Sequence, residues 1–210
     1  MKMFSYRNRE NLKNEISRRA AFLLYSGIVE EIFHAKGMAS EELGSSLLPS
    51  NYDVAIELDN LAQEIEGEKR TIRNVQLRKD ALDVMQKISN FHPRLVGSVW
   101  RGTSHLRSDI DILVFHSRAE EVEKILECNY KILTTKWVSK TDFGNTLNYY
   151  HIHFESNMGI ETEVVIRSPE DIRLKEKCEI YGDLKRGLSI KELEDVLDKD
   201  PHKKFVPKRR

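Results

Sequence analysis

Two aspartates, Asp109 and Asp111, stand two positions apart in Ser108-Asp109-Ile110-Asp111-Ile112-Leu113-Val114-Phe115. The apolar, β-branched run after them has the length and composition of a strand. Strand alternation puts positions i and i+2 on one face, with backbones about 6–7 Å apart. Carboxylates so placed can bracket hard cations about 3.5–4 Å from each other, the spacing of two-metal phosphoryl-transfer sites. An oxygen-only donor set suits Mg²⁺, with Mn²⁺ as the alternative. Upstream, Gly97-Ser98 closes a short strand, Arg94-Leu95-Val96, and opens a helix. Glycine lets the backbone come close to a phosphate, and the free N–H groups of a helix start favour an anion. The Ser98 hydroxyl adds one donor. An anion cradle and a pair of acids in one supersecondary unit are what nucleoside-triphosphate chemistry requires.

The elements that must position these residues are legible in outline. The first 90 residues read as helical. Leu12, Ile16, Ala20, Leu23 and Gly27 recur at helical spacing, with Leu24, Ile28 and Ile32 widening the stripe and Gly37 as the stop. Residues 44–51, rich in Ser, Gly and Pro, read as a loop. Val54, Leu58, Leu61 and Ile65 mark a second helix, and Ile72, Val75, Leu82, Met85 and Ile88 a third over about 71–89. Pro93 ends it, and strands follow at 94–96 and 110–115. Ser117 and Glu120 have capping-box spacing ahead of a helix that carries Val122, Ile125 and Leu126. The stretch 130–167 is strand-rich, with Ser156-Asn157-Met158-Gly159 as a hairpin turn between 149–155 and 160–167. Ser168-Pro169 starts a short helix. Lys175-Glu176-Lys177 reads as a solvated helix face, and Ser189 with Glu192 opens the last helix. The predicted fold is α+β, a small mixed sheet flanked by helices behind an N-terminal helical segment. The expected division is 1–70 helical, 71–167 core, and 168–210 C-terminal helices and tail.

Composition narrows the setting. The 210 residues carry 34 basic and 34 acidic side chains, a formal charge of zero, which weighs against holding nucleic acid by phosphate neutralisation alone. The exception is the end, His202-Lys203-Lys204-Phe205-Val206-Pro207-Lys208-Arg209-Arg210, read as a solvated terminus before it is read as a binding arm. No apolar run reaches membrane-spanning length and the N-terminus lacks a secretory signal, so cytoplasmic residence is expected. Cys128 and Cys178 show no ligand spacing and read as free thiols.

Gly-Ser, ten intervening residues, then Asp-x-Asp followed by aliphatics resembles the defining motif of the DNA polymerase beta-like nucleotidyltransferase superfamily. Arg101-Gly102 and Ser108 are similar to the same motif in its small bacterial and archaeal members. The resemblance implies a third carboxylate on a later strand beside the Asp-x-Asp strand. Glu163 is preferred, since an aliphatic run starts directly after it, and Glu161 is the alternative. It further implies a metal-dependent transfer of a nucleoside monophosphate from a triphosphate to an acceptor, with pyrophosphate released. Asp109, Asp111 and Glu163 would then hold two Mg²⁺ ions, while Gly97, Ser98, Arg101 and Ser108 contact the nucleotide. The acceptor, a small molecule, a protein hydroxyl or an RNA end, is open.

Three further features are weighed beside that site. His151 and His153 share a strand face and could ligate a transition metal, but no third soft ligand is evident, so a structural or acceptor-binding role is expected. Trp137, Tyr149 and Tyr150 could stack a base, though core packing is the commoner fate of strand aromatics. The N-terminal helices could shape the acceptor site or make a homo-oligomer. The competing function is a catalytically silent nucleotide-binding module of the same fold.

Overall fold

A computed structural model describes residues 2–142 and 145–209. The chain divides into two compact units. The first comprises Met1–Arg70, His105–Arg107 and Cys178–Asp183, and the second Thr71–Ser104, Ser108–Lys177 and Leu184–Arg210.

The first unit is built on α1 (Lys2–Tyr25), α2 (Ile32–Glu42) and α3 (Asn51–Glu66). Ile16, Ala20, Leu23 and Leu24 of α1 bury against Ala35 and Ala39 of α2 and Val54 of α3. The predicted stop at Gly37 is wrong. α1 ends at Tyr25, just ahead of Gly27, and α2 runs through Gly37 to Glu42. Gly27 has φ +71°, the left-handed value that interrupts a helix, whereas Gly37 does not, so it is carried along at only a propensity cost. α3 opens on a capping box in which the Ser50 hydroxyl accepts from Asp53 N–H and the Asp53 carboxylate accepts from Ser50 N–H.

In the second unit α4 (Glu68–Lys87) contributes Leu77, Ala81, Val84 and Met85 to the core. Five strands follow: β1 (Arg94–Val96), β2 (Ile110–Phe115), β3 (Lys131–Asp142), β4 (Asn145–Glu155) and β5 (Glu161–Arg167). Between them lie α5 (Gly97–Arg101) and α6 (Ala119–Glu127), and α7 (Ile190–Lys199) comes last. The sheet order is β1-β2-β5-β4-β3, with only the β2–β5 pair parallel. The fold is α+β with a small mixed sheet, as the sequence predicts.

The predicted Ser117 capping box does not form. Arg118 is the N-cap residue and has no side-chain cap bond; Glu120 and Glu121 instead place negative charge in the first turn, where the helix dipole favours it. Residues 175–177 are not helical either. Lys177 bridges to Leu184 and the Glu176 carboxylate accepts from Arg167 at 2.9 Å. Past Ser168-Pro169 the short helix is a single 3-10 turn, Pro169–Arg173, while the Ser189–Glu192 capping box of α7 forms as expected.

Alternation divides the sheet into two faces. Ile110, Ile112 and Val114 of β2, Ile152 and Phe154 of β4, and Val164 and Ile166 of β5 are all buried, in one core with α4, α6 and α7. Each such side chain contributes about 1.5–3 kcal/mol by leaving water. The residues between them, Asp111, Leu113, Glu163, Val165, His151 and His153, point the other way and are only partly covered.

Candidate functional site

The polar face collects the predicted acids. β1 pairs antiparallel with β2 so that Val96 lies opposite Asp111, and β2 pairs parallel with β5 so that Asp111 lies opposite Glu163. The residue after Val96 is Gly97, where the chain turns into α5. Gly97 has φ +67°, and a Cβ built there would stand 1.8 Å from Asp111 Oδ2. Only glycine fits, on grounds of conformation and of space. The bend therefore sits directly over the Asp111 carboxylate, with Ser98 next in the chain at partial exposure.

Electrostatics mark the same cluster. Loss of water, then the charges of Asp109 and Glu163, push the Asp111 carboxyl up to about 8, with Lys185 opposing. Asp109 keeps some contact with solvent at the mouth of β2. Its carboxyl is nevertheless raised, first by partial desolvation and then by Glu163 and Glu161, while its own backbone N–H and His153 oppose the rise. Two carboxyls held above their ordinary range, with Glu163 beside them and the glycine bend against Asp111, are a hard-oxygen donor set suited to a divalent cation. Between the two candidates for third acid, cover separates them: the Glu163 side chain is 19% exposed and that of Glu161 63%.

The remaining residues fall into place around this. Ser108 immediately precedes Asp109, and its carbonyl accepts from Arg73 at 3.5 Å. Arg101 is held by the C-terminal segment. It is buried, its guanidinium lies 4.2 Å from the Trp100 ring centre, and Nη1 donates to the Phe205 carbonyl at 2.7 Å. The backbone next to it is held as well, by a residue that nothing in the sequence singles out. Arg78, 1% exposed, donates to the carbonyls of Val99 and Trp100 in α5 and of Pro201 and Lys203 in the tail. It thereby ties the C-terminal segment to the helix that follows the bend. Gly102 makes room for this, since a Cβ there would lie 2.9 Å from the Lys203 carbonyl oxygen. The tail is thus anchored through its backbone instead of running free, because buried carbonyls need donors and Arg78 supplies them.

His151 and His153, expected to have a structural or acceptor-binding role, stand beside the acids. β4 pairs with β5 so that His153 lies opposite Glu163. His151 Nδ1 stands 2.6 Å from Glu163 Oε1 and His153 Nε2 3.2 Å from the same oxygen. Glu163 is the third polar group beside them, and the three residues form a group that could hold a metal ion. The hairpin turn was the available signal, for a loop over 156–160 sets 153 opposite 163. Lys185 had no signal, being brought near Asp111 only because Leu188 bridges to Leu95 and Arg94 donates to the carbonyls of Arg186 and Gly187. The aromatic residues separate: Trp137 is 62% exposed, with its ring centre 4.8 Å from that of Tyr150, while Tyr149 stacks under Arg167 at 4.6 Å. No helix among the described residues is long and apolar enough to cross a membrane.

No curated protein matches the chain in sequence. Among solved structures, the GLD-2/RNP-8 complex matches at 12% identity and a TM-score of 0.33, over 58% of this chain and 40% of that one. Cid1 in complex with the UTP analogue UMPNPP matches at 15% identity and a TM-score of 0.34, over 57% of this chain and 38% of that one. The chain thus spans about two fifths of the length of either. The family model of the nucleotidyltransferase domain matches residues 78–191, just over half of the 210 residues and inclusive of the bend and all three acids. The chain belongs to the nucleotidyltransferase domain family.

Proposed function

We propose that this protein moves a nucleoside monophosphate from a nucleoside triphosphate to an acceptor hydroxyl and releases pyrophosphate, with Asp109, Asp111 and Glu163 holding Mg²⁺, or Mn²⁺ in its place. The observation that carries the reading is the seat of the Asp111 carboxylate under the Gly97 bend, with Glu163 in register beside it. A polyphosphate on the bend and cations on the acids would then be neighbours.

In the reaction the acceptor oxygen forms a bond to the α-phosphorus as the bond to the pyrophosphate oxygen breaks. The acceptor proton leaves toward the carboxylate cluster. Divalent cations bound there would supply charge neutralisation for the triphosphate and a lowered pKa for the acceptor hydroxyl. The chain's own part is to orient. Gly97 and Ser98 grip the outer phosphates by backbone N–H groups and one hydroxyl, and Lys185, exposed and electrostatically coupled to Asp111, adds a cation on the same side. Arg101 is left out of the phosphate grip, because its guanidinium is engaged by the tail.

The test is pyrophosphate release with Mg²⁺, mixed triphosphates and a panel of small-molecule, protein and RNA acceptors. The wild type should release pyrophosphate and Asp109→Asn should not. Nucleotide binding without release under any acceptor would turn the reading to the silent module.

A further inference from the structure

We infer that His151, His153 and Glu163 form a binding site for one divalent transition-metal ion, of the Mn²⁺, Co²⁺ or Zn²⁺ class, on the polar face of the sheet. Three observations carry it. The first is placement by backbone alone: residues 151 and 153 alternate onto one face of β4, and the β4–β5 register sets Glu163 directly opposite His153. The second is convergence, since one ligand atom from each residue lies within 4.8 Å of the other two. Glu163 Oε1 is the common point, at 2.6 Å from His151 Nδ1 and 3.2 Å from His153 Nε2.

The third is a pair of polar atoms left over. The Nε2 atoms of both histidines are buried and have no hydrogen-bond partner. The His153 Nε2 contact with Glu163 is an approach without the alignment of a hydrogen bond. A buried donor or acceptor left in this state costs about 1–3 kcal/mol. One such nitrogen is an accident of packing; two on one strand face, in rings that both approach the same carboxylate, point to a missing partner. A metal ion is a partner that two neutral imidazoles and a carboxylate can share.

Donor chemistry selects the ion. Mg²⁺ takes oxygen ligands and parts reluctantly with its waters, whereas imidazole nitrogen suits the later divalent metals. An outer partner is also present: His153 Nδ1 lies 3.6 Å from Glu161 Oε1, the carboxylate beside a ligating histidine that commonly orients the ring. The three ligand side chains are 16%, 17% and 19% exposed, covered enough to be ordered and open enough for an ion to enter. The inference rests on the proposed function only in sharing Glu163, and it requires no turnover.

The test uses the full chain, stripped with a chelator and titrated with Co²⁺ alone, without nucleotide, while visible absorption is followed. The wild type should bind a Co²⁺ with the absorption of a nitrogen-ligated ion, with Zn²⁺ displacing that ion and excess Mg²⁺, which competes only at the acids, leaving the absorption in place. His151→Ala and His153→Ala should each weaken binding about 10-fold or more, and Asp109→Asn should leave it unchanged. Wild-type affinity in the double histidine variant, or loss of binding in Asp109→Asn with the histidine variants unaffected, would place the ion elsewhere and overturn the site. Should the variants not fold, Cu²⁺ electron paramagnetic resonance on the wild type decides: nitrogen coupling from two imidazoles upholds the site and its absence rejects it. Failure of pyrophosphate release leaves these outcomes untouched.

Discussion

The two faces of the five-stranded sheet are written into the same residues. In Ile110-Asp111-Ile112, in His151-Ile152-His153 and in Thr162-Glu163-Val164, every second side chain is buried in the core and its neighbour faces the candidate site. The dry face is aliphatic and close-packed, so its identities are set by volume. The open face carries carboxylates and imidazoles that repel or crowd one another, an arrangement that packing alone does not favour. Fold and chemistry are thereby separable at single-residue resolution, and substitutions one position apart should fail in opposite ways.

The largest effect is expected at the bend. Gly97→Ala would force a left-handed backbone on a residue with a Cβ and drive that Cβ into the Asp111 carboxylate. Pyrophosphate release should fall by on the order of a thousand-fold, the several kcal/mol that cation-assisted charge stabilisation supplies. Near-normal release in a folded variant would separate the bend from the acid. On the dry face, Ile112→Ala should lower unfolding stability by about 2–5 kcal/mol in urea yet leave activity per folded molecule intact. Loss of activity without loss of stability at that position would erase the distinction between the faces.

Smaller effects sharpen it. Glu163→Gln should reduce turnover more than Glu161→Gln, and the reverse ranking would move the third ligand to Glu161. Ser98→Ala should weaken triphosphate binding by about 1.5–3 kcal/mol, one hydrogen bond to a charged partner, and unchanged affinity would place the phosphates away from the bend. The smallest is a contrast in acid chemistry. Asp53, in the first unit, is an acid with partners: burial works against its charge, but Lys13 and Ser50 outweigh that and hold its carboxyl below the usual range. A lowered folded value stabilises the fold above the ordinary carboxylate range and ceases to do so as pH falls through it. The stability penalty of Asp53→Asn should therefore be present at pH 7 and vanish in acid, as read by thermal melts across pH. A penalty independent of pH would mean that the cap acts without its charge.

Local chemistry made the central part of this architecture legible. The strands at 94–96 and 110–115, the bend between them and the capping box at Ser189 follow from alternation, glycine and cap spacing, all short-range properties. Misreadings arose where local signals tie. Gly27 and Gly37 look alike in sequence, and only φ separates them. Ser117 and Glu120 have the spacing of a box, but the N-cap position falls one residue later, on Arg118. What could not be read was long-range. Arg78 resembles any helix arginine until the carbonyls of α5 and of the tail are brought to it, and Arg101 likewise until the Phe205 carbonyl is. The two histidines show no third partner at local spacing, and Glu163 reaches them only through the β4–β5 register.

The central claim is that Asp111 and the Gly97 bend together bind a triphosphate through a divalent cation. Calorimetric titration of a non-hydrolysable triphosphate, with and without Mg²⁺, into the wild type and Asp111→Ala tests it most directly. Binding to the wild type that needs Mg²⁺ and is lost in a folded Asp111→Ala is the predicted result. Equal affinity in the two proteins, or binding indifferent to Mg²⁺, would contradict it.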